Sequence, residues 1–142
     1  MALLRARESV MARFRPMLRS HGLTEQKWRV LRALAASKQR LRPIELSQMT
    51  YLSMPSLSRL LKSLQALELI ENRPHASDMR SMELGLTAAG RALLRKVAPH
   101  SEKIYAEIAS LVGADEVEAV YALCDRVEER LGSTLAEDAG DD

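Results

Sequence analysis

The apolar positions of this chain recur first at helical and then at strand spacing, and the change divides it into elements. In residues 3–18, Leu3, Leu4, Val10, Met11, Phe14, Met17 and Leu18 recur every three or four residues, which predicts a helix. His21-Gly22 ends it with a residue able to take positive φ. Thr24 is a good N-cap for a second helix, with a buried stripe of Trp28, Val30, Leu31, Leu34 and Ala35 and an end near Ser37. The polar residues 38–42 lead to Pro43, suited to a first helical turn, and a short helix runs through Leu46 to Met49. After a break at residues 50–53 comes a longer helix with Pro55 in its first turn and Leu57, Leu60, Leu61, Leu64 and Leu67 along one side.

The period then drops to two. Met82, Leu84 and Leu86 alternate with Ser81, Glu83 and Gly85, as in a half-buried strand, and residues 69–73 are its expected antiparallel partner. Residues 74–80 form the hairpin tip between them. Thr87 caps a further helix bearing Leu93, Leu94 and Val97, then Ile104, Ile108 and Leu111, with Pro99 expected to kink or briefly break it. Gly113 marks a turn, Asp115 and Glu116 suit a first turn, and the last helix should run to about residue 131. Residues 136–142 are acidic and small, offer no apolar face, and read as a disordered tail.

The resulting class is mainly α with a small antiparallel β-hairpin. A two-turn helix joined by a four-residue break to a longer helix is a helix-turn-helix, and the hairpin behind it is a wing, so the architecture is a winged helix-turn-helix. The apolar stripes of the first and last helices exceed what one small lobe can cover, which points to a second copy of the chain. The expected organisation is an N-terminal dimerisation helix over residues 1–22, a winged lobe over 23–90, C-terminal dimerisation helices over 91–135 and the acidic tail over 136–142.

At 142 residues the chain is long enough for one domain with a real core. No window approaches the roughly 18 apolar residues of a membrane span. Residues 1–20 are interrupted by Arg5, Arg7, Glu8, Arg13 and Arg15, unlike a signal-peptide core, so a cytoplasmic location follows. The single cysteine, Cys124, excludes an internal disulfide framework. Its place among Val117, Val120, Tyr121, Val127 and Leu131 suggests a small buried or interfacial side chain, with a redox-sensing thiol as the alternative. There is no Gly-rich phosphate loop, no Cys/His metal spacing and no nucleophile beside a base, and His21, His75 and His100 lie far apart in sequence on unrelated elements. Neither an enzyme nor a cofactor is expected.

Charge adds a direction. Residues 1–80 hold 15 Lys or Arg against 6 Asp or Glu, a balance of +9, whereas residues 81–142 hold 6 against 13, a balance of −7. A basic front and an acidic back suggest that one end meets a polyanion. The polar side of the longer helix carries Ser53, Ser56, Ser58, Arg59 and Lys62, short hydroxyls and cations rather than the Glu/Lys mixture of a solvated face. Such a set suits the N-terminal end of a helix entering the DNA major groove, where hydroxyls and Arg meet base edges and terminal N–H groups face phosphates. A wing reaching a minor groove needs a cation on a short loop, and Arg80 and His75 are placed for that, with Asp78 able to orient Arg80. Asp78 and Arg80 equally fit a local surface ion pair. A helical adaptor using the same fold for protein contacts, without specific DNA binding, is the alternative function.

Several of these pieces in order resemble a known family. Residues 24–34, the run Leu52-Ser53-Met54-Pro55-Ser56-Leu57-Ser58-Arg59-Leu60-Leu61, the Leu69-Ile70 opening the wing, Asp78-x-Arg80 at its tip and Leu86-Thr87-x-x-Gly90 after it are together similar to the MarR family of bacterial regulators. Within the family, Phe14-Arg15-Pro16 and Leu23-Thr24-Glu25-Gln26-x-Trp28-Arg29-Val30-Leu31-Arg32 look most like repressors of homoprotocatechuate (4-hydroxyphenylacetate) degradation operons. Ser81 occupies the place where the family wing commonly has a second basic residue. The resemblance implies a homodimer joined by its terminal helices, two reading heads in successive major grooves of a pseudo-palindromic double-stranded site, and a small aromatic, acidic ligand that relieves repression. An aromatic carboxylate needs a cation for its charge and an aromatic wall for its ring, which Arg15, His21, Trp28 and Arg32 offer near the junction of the first two helices. Trp28 as plain core, His21 as a helix-end residue and Arg15 as a surface charge are the alternatives.

Overall fold

The computed structural model describes residues 1–74 and 82–138, with side chains to residue 131. Its elements are α1 (Ala2–Ser20), α2 (Glu25–Ala36), α3 (Pro43–Thr50), α4 (Met54–Ala66), β1 (Ile70–Pro74), β2 (Met82–Leu86), α5 (Ala88–Val112) and α6 (Ala114–Asp138). The backbone forms two compact units, Met1–Glu102 and Lys103–Asp142.

In the first unit the helix ends follow local chemistry. The Thr24 side chain accepts the Lys27 backbone N–H at 3.2 Å and starts α2. The Thr87 hydroxyl accepts the Gly90 N–H at 3.0 Å and donates to the Glu68 carbonyl at 2.6 Å, tying the start of α5 to the turn before β1. Glu68 itself holds a positive φ of 56° there. Gly90 packs so closely that an added Cβ would collide with the Leu69 carbonyl oxygen, which is why a glycine opens this helix.

The core of this unit is built from the inward side of every element. Phe14 and Leu18 of α1, Trp28, Val30, Leu31 and Leu34 of α2, Leu46 of α3, Leu57, Leu61 and Leu64 of α4, Ile70, Leu84 and Leu86 of the strands and Val97 of α5 are all buried. Burying each such side chain contributes about 1.5–3 kcal/mol. Two leucines of the expected α4 stripe depart from it. Leu60 is half-buried, and Leu67 caps the helix in the open.

The hairpin pairs antiparallel in the register Ile70↔Leu86, Asn72↔Leu84 and Pro74↔Met82. Leu41 adds a one-residue bridge on the other side of β2, with its N–H to the Leu84 carbonyl at 3.0 Å and the reverse bond at 2.8 Å. The segment expected as plain loop between α2 and α3 therefore pins the wing to the lobe.

Pro99 does not break α5, which continues from Ala88 to Val112. Pro99 is exposed, so the carbonyl it leaves unpaired stays close to solvent, and one missing N–H is tolerated in a helix of 25 residues. In the second unit Gly113, at φ 106°, turns the chain from α5 into α6. That last helix runs to Asp138, beyond the stop expected near residue 131, because a single Gly132 costs a helix only about 1 kcal/mol. Residues 139–142 of the expected tail lie outside the described residues. Cys124 is exposed on the single chain, so burial within the chain does not account for it. Among the described residues no helix is long and apolar enough to cross a membrane.

Candidate nucleic-acid interface

The turn between α3 and α4 is held by hydrogen bonds that converge on its backbone. The Thr50 hydroxyl donates to the Leu46 carbonyl at 2.6 Å, the Ser47 hydroxyl to the Leu52 carbonyl at 2.6 Å, and Arg29 Nη1 to the Thr50 carbonyl at 3.0 Å. Tyr51 takes a left-handed φ of 53° between them, which reverses the chain sharply enough for α4 to cross α3. Leu52 is buried beneath this turn, and Tyr51 is exposed. These bonds tie the turn back to α3 and, through Arg29, to α2.

Helix α4 then presents two different sides. Leu57, Leu61 and Leu64 face the core, and at 3.6 residues per turn Arg59 lies on the opposite side. Ser53, Ser58, Arg59 and Lys62 are exposed and Ser56 is half-buried. Ser58 and Lys62 turn to one flank, where with Pro43, Met54, Gln65 and Asn72 they line a shallow groove towards the wing.

The N-terminus of α4 is left open. Ser53 occupies the N-cap position but makes no side-chain cap bond, and its hydroxyl donates instead to the Ser56 hydroxyl at 3.0 Å. An unmade cap forgoes about 1 kcal/mol, and the uncovered end of the helix dipole suits an anion such as a phosphate.

Of the expected wing residues, His75, Asp78, Arg80 and Ser81 lie outside the described residues. The described part of the wing supplies Arg73, exposed on β1 and paired with Glu71 at 3.1 Å. Periodicity had placed Arg73 at a strand end without assigning it a role.

The four residues expected near the α1–α2 junction separate into three groups. Arg15 donates to Glu8 at 2.7 Å and to Glu25 at 3.4 Å, and its hydrogen bond holds the Glu8 carboxyl below the usual glutamate range. Glu25 also pairs with Arg7, and with Arg29 at 3.1 Å, so one acidic residue links α1 to the arginine that holds the helix-turn-helix. Arg32 sits over the Trp28 ring, 5.8 Å from its centroid, a cation on an aromatic wall. His21 meets His100, Nε2 to Nδ1 at 3.3 Å. That contact corrects the view that the histidines are unrelated: 79 positions separate His21 from His100 in sequence, and the fold brings their rings together. Among the described residues no group of three or more His, Cys, Asp or Glu is arranged to hold a metal ion.

Three helices, a tight turn, a longer helix with an open N-terminus and a pinned hairpin define a winged helix-turn-helix protein. Residues 21–81 match the MarR family. The chain is 31% identical over 140 residues to the homoprotocatechuate degradative operon repressor of Escherichia coli, covering 96% of this chain and 91% of that protein. This chain belongs to the MarR family of transcriptional regulators. Among solved structures it is similar to the transcriptional repressor CouR bound to a 23-mer DNA duplex, with a TM-score of 0.78, 26% identity and 89% of each chain covered. It is likewise similar to NadR in complex with 4-hydroxyphenylacetate, with a TM-score of 0.77, 28% identity and 89% of each chain covered.

Proposed function

We propose that the chain is a homodimeric repressor that reads a pseudo-palindromic DNA duplex and releases it when a small aromatic carboxylate binds. The observation that carries this reading is α4, which combines an uncapped N-terminus at Ser53, exposed Ser58, Arg59 and Lys62 and a buried leucine face, on a lobe similar to a repressor seen on DNA. Arg59 and the serines at the helix start read base edges in the major groove, Ser58 and Lys62 contact the flanking backbone, and His75, Asp78, Arg80 and Ser81 of the wing engage the adjacent minor groove.

The second copy joins through residues 1–22 and 91–135. Val120, Val127 and Leu131 of α6 are exposed on the single chain, and so, separately, are Leu3 and Leu4 of α1, apolar faces of the kind that association covers. The effector reading draws on the E. coli relative, a repressor of homoprotocatechuate degradation, and on NadR, which holds 4-hydroxyphenylacetate. Trp28 and Arg32 offer the wall and the cation, and Arg15 and His21 are the further ligand residues of this reading. The relatives are regulators and not catalysts, and the chain works in the cytoplasm on the nucleoid.

The test is selection of bound duplexes from a random pool, followed by salt titration on the selected site. Recovery of a two-fold site with half-sites about one helical turn apart, and affinity that falls steeply with salt, is the expected result. No enrichment over random duplex would sink the reading and favour a protein-binding adaptor.

A further inference from the structure

His21 closes α1, and His100 stands on α5, both within the first compact unit. Their rings approach with Nε2 and Nδ1 3.3 Å apart, centroids 5.2 Å apart and planes inclined by 39°. His21 is half-buried and His100 exposed, so the pair lies near the surface.

Two arrangements put imidazole nitrogens this close, and they differ in the ring centres. A linear N–H···N bond aligns the nitrogens with both rings, and with each nitrogen ~1.15 Å from its ring centre this spacing would set the centres about 5.6 Å apart, a bent one bringing them closer. Two imidazoles sharing a tetrahedral ion at ~2.05 Å have nitrogens about 3.3 Å apart and ring centres about 5.2 Å apart. Both observed distances match the shared-ion arrangement, and a direct hydrogen bond at this spacing would have to bend.

We propose that His21 and His100 are a two-imidazole chelate for a divalent transition-metal ion of the zinc and nickel kind, clamping the α1–α2 corner to α5. Neutral imidazole suits these ions and not magnesium or calcium, which take oxygen ligands. The carbonyl end of α1, which His21 terminates, carries the negative pole of the helix dipole and favours a cation there. Arg19 in the last turn of α1 and Lys96, one turn before His100 on α5, oppose a bare point charge, so binding depends on nitrogen coordination. Water fills the remaining coordination positions.

The full-length protein, stripped with chelator, is titrated with Zn2+ by calorimetry while its thermal midpoint is followed. One saturable Zn2+ site per chain and a raised midpoint are expected, with no effect of Mg2+. His21→Ala and His100→Ala should each weaken binding roughly tenfold or more and remove the thermal shift, whereas His75→Ala and Cys124→Ser should leave both unchanged. Should an alanine variant fold poorly by circular dichroism, imidazole NMR signals of the wild type decide the matter: those of His21 and His100 must move together as Zn2+ is added. Absence of a saturable site, binding by both variants as tight as wild type, or movement of other signals alone overturns the proposal.

Discussion

The Arg40 guanidinium lies on Gly85. A Cβ at position 85 would stand 3.0 Å from Arg40 Nη1, and across the hairpin register Gly85 faces Glu71, whose carboxylate Arg40 binds through Nη2. The glycine in the middle of β2 is the space through which an arginine from the α2–α3 segment reaches β1. Together with the Leu41–Leu84 bridge, it fastens the wing at its base.

This contact gives the wing a pH dependence with a definite sign. The hydrogen bond from Arg40, joined by the attraction of Arg73, holds the Glu71 carboxyl below the ordinary glutamate range. The folded state therefore favours the ionised form. The stabilisation is complete above the range in which the unfolded chain's glutamates titrate, and is lost as pH falls through the lowered folded value. Urea midpoints of the wild type and Glu71→Gln should differ near neutrality and converge in acid. A difference that persists unchanged in acid would show that Glu71 acts by something other than its charge.

Gly90 makes a separate demand on the same corner. Its missing side chain leaves room for the Leu69 carbonyl oxygen, which is backbone and cannot swing aside as a side chain would. Gly90→Ala should lower stability by about 1–3 kcal/mol in urea denaturation, despite the better helix propensity of alanine. An unchanged or raised midpoint would mean that the start of α5 can move away from β1 at no cost.

What the sequence made legible was local. Thr24, Thr87 and Gly113 act on their immediate neighbours, and the leucine spacing of α4 repeats over three turns, so caps, elements and the helix-turn-helix follow from local pattern. Gly85 under Arg40, Leu41 beside Leu84 and His21 against His100 are single contacts between distant segments, and a single contact leaves no period to detect. Pro99 weakens a helix locally, yet α5 continues through it over 25 residues. At the interface, the serine and arginine face of α4 could be read as a chemical set, but the missing Ser53 cap is visible only in three dimensions.

Arg59 should carry sequence preference and little else. It lies opposite the buried leucines, so Arg59→Ala leaves the fold and the dimer untouched and removes a group able to span two acceptors on a guanine. The expected loss on the selected site is about 1–3 kcal/mol, with non-specific binding reduced far less. Lys62→Ala should instead weaken all duplexes about equally and shallow the salt dependence. Equal losses on selected and random duplex for Arg59→Ala would remove it from the reading set.

Arg32 over Trp28 is the pair expected to respond to effector. With 4-hydroxyphenylacetate present, the wild type should melt higher and release its duplex, since a ligand favouring one state shifts both equilibria. Arg32→Ala should keep its affinity for DNA and lose both responses, because the carboxylate then has no partner at the ring. A variant that still releases DNA at the same effector concentration would place the carboxylate elsewhere.

The exposed face of α6 supplies the last prediction. Val120, Cys124, Val127 and Leu131 recur at three- and four-residue spacing and so share one side of the helix, all exposed on the single chain. If that side is covered by a second copy, Cys124 is exposed in a monomer and shielded in the dimer. Val127→Glu would place a charge in an apolar interface, where its desolvation is not compensated. The variant should sediment as a monomer, bind its duplex weakly because one reading head cannot reach both half-sites, and react with a thiol reagent much faster than the wild type. Rapid reaction of Cys124 in a wild type that sediments as a dimer would move the interface away from this face of α6.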